Sequence, residues 1–330
     1  MAWTTGAHNG DAVALLDALV TFLTTDATLI ADSDAWTVLG QCSEGLTHPT
    51  DDDYIVTKGY YLRGAGLTNA PILFVYSVET DVNATYAIAF TAMQGFDAEL
   101  ADMWWTQPGA SYHYAPLTVP KTAGSYEFMA NGQRVHGYVK DELERYMPFY
   151  AGWIIPYTDT QSQNYVQPTA CLGSDKFLKY CSVSSTNADF SVGLCNMDSG
   201  DTTSVPAEDR SNAGAFIIAP DSSFRAIQAS SSAPVVSVTS TRMYNTSLDW
   251  KYHIKSYAPV TSGGITPLYP EVLRYDDSVL LGELDGLCSI GRAGAIAGAI
   301  ISDSDDVEWI VIMQRNQPNN GVDGYAMKRA

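Results

Sequence analysis

Five histidines, five cysteines, two short acidic runs and several clustered aromatics are the side chains here with the means to do chemistry. His8, His48, His113, His136 and His253 are scattered along the chain. No two stand at metal-ligand spacing and no H-E-x-x-H occurs, so each reads as a structural or surface histidine. Cys42, Cys171, Cys181, Cys195 and Cys288 are odd in number and include no C-x-x-C pair. That is a poor disulfide framework and a poor zinc site, and it reads as reduced thiols of a protein folded in a cytoplasm.

Nucleophile and phosphate signatures are also missing from the sequence. Gly109-Ala110-Ser111 and Gly124-Ser125 do not make the G-x-S-x-G elbow, and Gly291-Arg292-Ala293-Gly294 is too weak to be a nucleotide loop. Asp51-Asp52-Asp53 and Asp303-Ser304-Asp305-Asp306 carry oxygen ligands of the kind a hard cation such as calcium takes. Neither has the EF-hand pattern, and a solvated turn before a strand is the expected use of each. Trp104-Trp105 and Tyr112-His113-Tyr114 offer a protein or carbohydrate contact face, the alternative being packing within a β core. On a strand, adjacent Trp104 and Trp105 point to opposite sides. The expectation is therefore a protein without catalytic, cofactor or metal residues.

The elements that must position these side chains are mostly strands. One helix is expected over 12–23, capped by Asn9 or Asp11, because Leu15, Leu16, Leu19, Phe22 and Leu23 form a single stripe at helical period. Beyond it, aromatic and β-branched runs such as Ile72-Leu73-Phe74-Val75-Tyr76 and Tyr86-Ala87-Ile88-Ala89-Phe90 are bounded by Gly, Pro, Asn and Asp. Asn131-Gly132 between two such runs predicts a hairpin with a type I′ turn. Tyr150-Ala151-Gly152-Trp153-Ile154-Ile155-Pro156-Tyr157 predicts a strand closed by proline, and residues 184–211 a long Ser/Asp-rich loop. The fold class is α+β, mainly β: an amphipathic helix followed by antiparallel sandwich-like or barrel-like units. Two domains are expected, 1–175 with the helix and 176–330 with the loop.

Composition narrows the partners. The 330 residues carry 37 acids against 18 basic residues, a net charge of −19. Such a chain lacks the Lys/Arg surface that nucleic acid or an anionic membrane requires. The start, Met1-Ala2-Trp3-Thr4, has no basic region of a secretory signal. No run reaches the roughly 18 apolar residues of a membrane span, which predicts a soluble protein.

Read in order, several segments resemble a widespread family of uncharacterised virion structural proteins from tailed-bacteriophage and prophage morphogenesis modules. These segments are Lys58-Gly59, Gly95-Phe96-Asp97 with Gln107-Pro108-Gly109-Ala110-Ser111, the hairpin Phe128-Met129-Ala130-Asn131-Gly132-Gln133-Arg134, the 150–157 segment, and Leu281-Gly282-Glu283-Leu284-Asp285-Gly286. The likeness covers most of the chain except roughly 175–270. Gln133 departs from the family's usual arginine, as does the apolar 293–301 run from a polar turn. The resemblance implies no catalytic residues, no cofactor and a place in the virion, assembled in the bacterial cytoplasm. It implies a ring of six or twelve copies at the head–tail neck, as collar, connector or tail terminator, touching adjacent neck and tail proteins. The genome passes through the lumen of such a ring. A baseplate component, an exterior receptor-binding or decoration protein and a virion-associated hydrolase are the competing readings. Trp104, Trp105, Tyr112, Tyr114, Asn131, Arg134 and Trp153 are the expected contact residues.

Overall fold

A computed structural model describes residues 1–48, 51–65, 70–80, 85–110, 114–142, 144, 146–156, 168–173, 215–218, 224–226, 236–238, 256–259, 265–275, 279–291, 296–313 and 322–329. The Ser/Asp-rich loop at 184–211, Tyr112, His113, His253, Cys181 and Cys195 lie outside these residues, as do the side chains of Asp51, Asp52 and Asp53.

The elements, in chain order, begin with β1 (Ala2–His8), α1 (Ala12–Thr25) and α2 (Ala27–Ala31). Then come β2 (Thr37–Gln41), β3 (Leu46–His48), β4 (Asp51–Arg63), β5 (Ile72–Thr80), β6 (Thr85–Met93) and β7 (Ala115–Val119). Next are β8 (Gly124–Ala130), β9 (Arg134–Asp141), β10 (Tyr146–Trp153), β11 (Ile155–Pro156), β12 (Thr169–Leu172), β13 (Ala215–Ile218) and β14 (Phe224–Ala226). The last are β15 (Val236–Val238), β16 (Ser256–Pro259), β17 (Ile265–Tyr275), β18 (Val279–Gly291), β19 (Ile300–Ser302), β20 (Glu308–Met313) and β21 (Val322–Lys328).

Three antiparallel sheets follow from these strands, consistent with an α+β, mainly β class. Sheet B has the order β2-β4-β5-β6-β7, with β3 also on β4. Sheet A has the order β1-β8-β9-β10-β12-β13-β14, and sheet C the order β15-β17-β18-β21-β20-β19 with β11 and β16 attached. Strand alternation sorts the side chains by layer. Phe128, Val135, Val139 and Phe149 of sheet A share one core with Leu62, Val75, Ile88 and Phe90 of sheet B. The opposite face of sheet A, through Met129, Tyr150 and Leu172, packs on Leu284, Ile310, Ile312 and Met327 of sheet C. Behind that, sheet C curls until β16 and β19 touch. Every strand of the curl contributes to one interior: Ala258, Leu268, Cys288, Ile290, Ala326, Trp309, Val311 and Ile301. The layers are thus a sandwich with a small barrel-like unit on its outer face.

Helix α1 begins where expected, because the Asp11 carboxylate accepts from the Val13 and Ala14 amides. Its stripe of Leu15, Leu16, Leu19, Phe22 and Leu23 lies in the sandwich core. Together α1 and α2 make a stretch, Ala12–Ala31, long and apolar enough to cross a membrane, which the sequence expectation did not include. Asp26 interrupts it, ending α1 and capping α2 through the Thr28 and Leu29 amides.

Three expectations need correction. A strand, β1, precedes the helix. Strands β13 and β14 belong to sheet A, so a boundary at 175/176 cuts through a sheet; backbone pairing with β12 overrides the local composition shift. The 131–134 hairpin forms, but neither Asn131 nor Gly132 has the positive φ of a type I′ turn. Instead the Asn131 side chain accepts from the Gln133 and Arg134 amides at 2.9 and 3.1 Å and folds the turn itself. Gly132 is needed for space: a Cβ there would lie 2.6 Å from Asp34 Oδ1.

Candidate functional site

Side chains at even positions of β9 point from sheet A toward sheet C, which lines up Arg134, His136 and Tyr138. Arg134 is only 2% exposed, and its Nε donates to Asp285 Oδ2 of β18 at 2.7 Å. Its Nη1 reaches His136 Nδ1 at 2.9 Å and Met1 Sδ at 3.3 Å. A guanidinium has no acceptor, so His136 Nδ1 must accept. The ring proton then sits on Nε2, which donates to the Lys328 carbonyl of β21 at 2.9 Å. Burial, with the Arg134 charge beside it, pushes the His136 imidazole down to about 3, so the ring is neutral. Tyr150 stacks near His136, and its hydroxyl donates to the Trp153 carbonyl at 2.6 Å. Burial drives the Tyr150 phenol well above its usual range.

The backbone closes the same place. Gly152 pairs with Arg134, and the Trp153 amide donates to the Gln133 carbonyl at 2.9 Å. Ile155 and Pro156 of β11 pair with Glu283 and Gly282 of β18. Gly286 has φ +77°, and a Cβ there would meet Arg134 Nη2 at 2.8 Å. Three of the segments that carry the family resemblance, 128–134, 150–157 and 281–286, therefore converge on one joint between sheets A and C.

A second ion pair lies along that joint. Arg329 Nε stands 2.8 Å from Glu127 Oε1, as a close ion pair and not an aligned hydrogen bond, and Arg329 Nη1 is 3.8 Å from Glu308. The guanidinium stacks on Trp3, 3.7 Å above the ring centroid. Burial raises the Glu127 carboxyl, with Arg329 opposing, and Tyr138 donates to its other oxygen at 3.1 Å.

The remaining resemblance segments also find partners. Asp97 and Gln107 exchange two hydrogen bonds, Asp97 N to Gln107 Oε1 at 2.7 Å and Gln107 Nε2 to the Asp97 carbonyl at 2.9 Å. Gly95 N donates to the Pro108 carbonyl at 3.0 Å. Lys58 of β4 bonds Asp17 of α1 at 2.8 Å, and Tyr60 takes the other Asp17 oxygen.

The expected contact residues fare differently. Trp104 lies in a 3-10 turn, Trp104–Thr106, and not on a strand. It is 3% exposed, against Phe74 and Tyr76, so it is a core side chain of sheet B's outer face and not an open contact. Trp105 packs edge-on to it, half-buried. Tyr114 is buried in that same core. Arg134 is spent on the joint, Asn131 on its turn, and Trp153 is half-buried with its amide on the Gln133 carbonyl of that turn. Tyr112 lies outside the described residues. The structure thus joins Asn131, Arg134 and Trp153, and separately Trp104, Trp105 and Tyr114.

Of the acidic runs, Asp303 serves the fold. Its carboxylate accepts from Asp305 N, Val307 N and Trp309 Nε1 at 2.9, 3.0 and 2.8 Å. Asp51 begins strand β4 and pairs with His48, where a turn was expected. Among the described residues, no group of three or more His, Cys, Asp or Glu is placed to hold a metal ion. Burial pushes the Cys42 thiol up to about 12. Sequence reasoning missed Asp285, His136, Glu127 and Arg329 as partners, and no local signal points to them. No protein-family model matches the chain, and a search of curated proteins finds no match.

Proposed function

We propose that this chain is a non-enzymatic structural subunit of a tailed-bacteriophage virion. In this reading it forms a six- or twelvefold ring at the head–tail neck, as collar, connector or tail terminator. The observation that carries the proposal is that three of the segments resembling the virion family, 128–134, 150–157 and 281–286, are one another's contact partners. Arg134 meets Asp285 and β11 meets β18. These three segments, far apart in sequence, meet at one joint, which supports a shared fold and not a chance string of short matches. The buried charged groups are engaged in holding layers together, a use suited to a subunit that must present a fixed shape to its neighbours. Burial of Trp104 and Tyr114 removes two residues from the exterior glycan-binding reading.

The net charge of −19 suits a lumen through which DNA slides without adhering. Image reconstruction of intact particles tests the proposal through the copy number and axial position of this chain. Six or twelve copies in a neck ring is the expected result. Absence from the particle, or a basic lumen in the assembled ring, overturns it in whole or in the role of the lumen.

A further inference from the structure

Strand β1 ends sheet A and pairs with β8 residue for residue, from Ala2 opposite Ala130 to His8 opposite Gly124, without a register shift. Among the described residues, its outer edge has no backbone partner. An unpaired row of N–H and C=O groups recruits further strands, and natural edges are blunted by shortness, charge, proline or bulges. The other edge strands here show such devices. β3, β14, β15 and β19 have three residues each. β2 is bulged between Val38 and Gly40, β7 contains Pro116, and β16 ends at Pro259. β1 has none of them. It is seven residues long, regular, and free of proline, acid, lysine and arginine.

We propose that β1 is the edge on which a second copy of this chain docks, antiparallel about a two-fold axis with Thr5 opposite Thr5 of the partner. Two features of the strand select that occupant. First, a chain of net charge −19 can bring its own copy to strand-pairing distance only where no carboxylates face each other, and β1 carries none. Second, with the other described edges blunted, β1 is its own best complement. Centring the pair on Thr5 sets Trp3, 41% exposed, over Ala7 of the partner and Thr4 over Gly6, large against small. Trp3, Thr5 and Ala7 alternate with less exposed neighbours and so share one face, on which the Arg329 guanidinium stacks over the Trp3 ring. Pairing of this kind is isologous, whereas ring closure is heterologous. The contact therefore goes beyond the ring reading and does not require it.

Two variants of the full chain test the contact. Thr5→Cys, oxidised gently under native conditions, should give a disulfide-linked dimer whose peptide map joins position 5 of one copy to position 5 of the other. Thr5→Lys sets like charges across the axis and should halve the native mass, with circular dichroism unchanged because the side chain is exposed. No link between the two position-5 residues, or a link from position 5 to a native cysteine, overturns the proposal even if the lysine variant misfolds. So does protection of β1 amides from exchange only after another virion protein is added. An intact ring that ignores both variants overturns the β1 contact and leaves the ring reading standing. A plain dimer that Thr5→Lys splits into monomers supports the contact and overturns the ring.

Discussion

Replacing Asp285 with Asn removes one charge from the joint between sheets A and C while keeping its shape. Arg134 cannot lose its proton, so a guanidinium 2% exposed is left facing a neutral amide. Breaking a buried ion pair by removing one partner costs about 3–5 kcal/mol. Asp285 itself is 26% exposed, so water reaches one side of the pair and the lower end applies, about 3 kcal/mol. For a melting unit of 150–250 residues this is a fall in Tm of roughly 6–12 °C. Urea unfolding followed by tryptophan fluorescence gives the free energy, and hydrogen exchange should show β18 and β21 loosening before β5 and β6. Replacing both partners, Arg134→Met with Asp285→Leu, removes charge and countercharge together and should recover most of the loss. An Asp285→Asn protein within about 0.5 kcal/mol of the parent refutes the idea that this pair ties the layers.

His136 gives a pH signature. Its folded value of about 3 lies below the 6.5 of the unfolded chain, so unfolding takes up a proton between those values. Its contribution is complete above pH 6.5 and falls toward pH 3, by at most about 1.4 kcal/mol per unit. A His136 ring resonance, assigned by its loss in His136→Gln, that titrates near 6.5 in the folded protein contradicts this. Asp303→Ala strips three hydrogen bonds from the turn before β20 and should cost about 2 kcal/mol, with Asp303→Asn costing less, by denaturant titration. Gly286→Ala combines positive φ with the Arg134 approach and should cost about 2 kcal/mol in the same titration, while a glycine-tolerant loop position costs little. Asp11→Ala should cost about 1 kcal/mol through loss of the α1 cap.

Local signals were readable in the sequence and long-range ones were not. The α1 stripe and its Asp11 cap are set by neighbours within a few residues, so their pattern is visible. The 131–134 hairpin was visible for the same reason, but its turn type was decided by the Asn131 side chain and by Asp34, which crowds Gly132. β1 carries no apolar alternation, and its strand state comes from β8, more than a hundred residues away. The sequence leaves Trp104 and Trp105 open between a contact face and a β core, and only the turn that folds Trp104 onto the outer face of sheet B decides it. Arg134 and Asp285 are 151 residues apart, a distance no periodicity encodes.

The two interfaces of sheet A differ in the side chains that direct them. Sheets A and B are stitched at one end by directed bonds between segments distant in sequence. Trp36 Nε1 donates to the Asn131 carbonyl at 2.7 Å and Ala65 N to the Gly132 carbonyl at 2.5 Å, while α1 wedges the core. An apolar filling suffices there. Sheet C lies across a face of Met, Leu, Ile and Tyr that fixes distance better than direction. Apolar contact is non-directional, whereas a guanidinium fork accepts few geometries. The directed Arg134–Asp285 bond therefore restricts the angle between the layers where apolar contact alone does not. For the ring subunit proposed above, that angle is the quantity that must not vary, because an error repeated at each contact prevents closure.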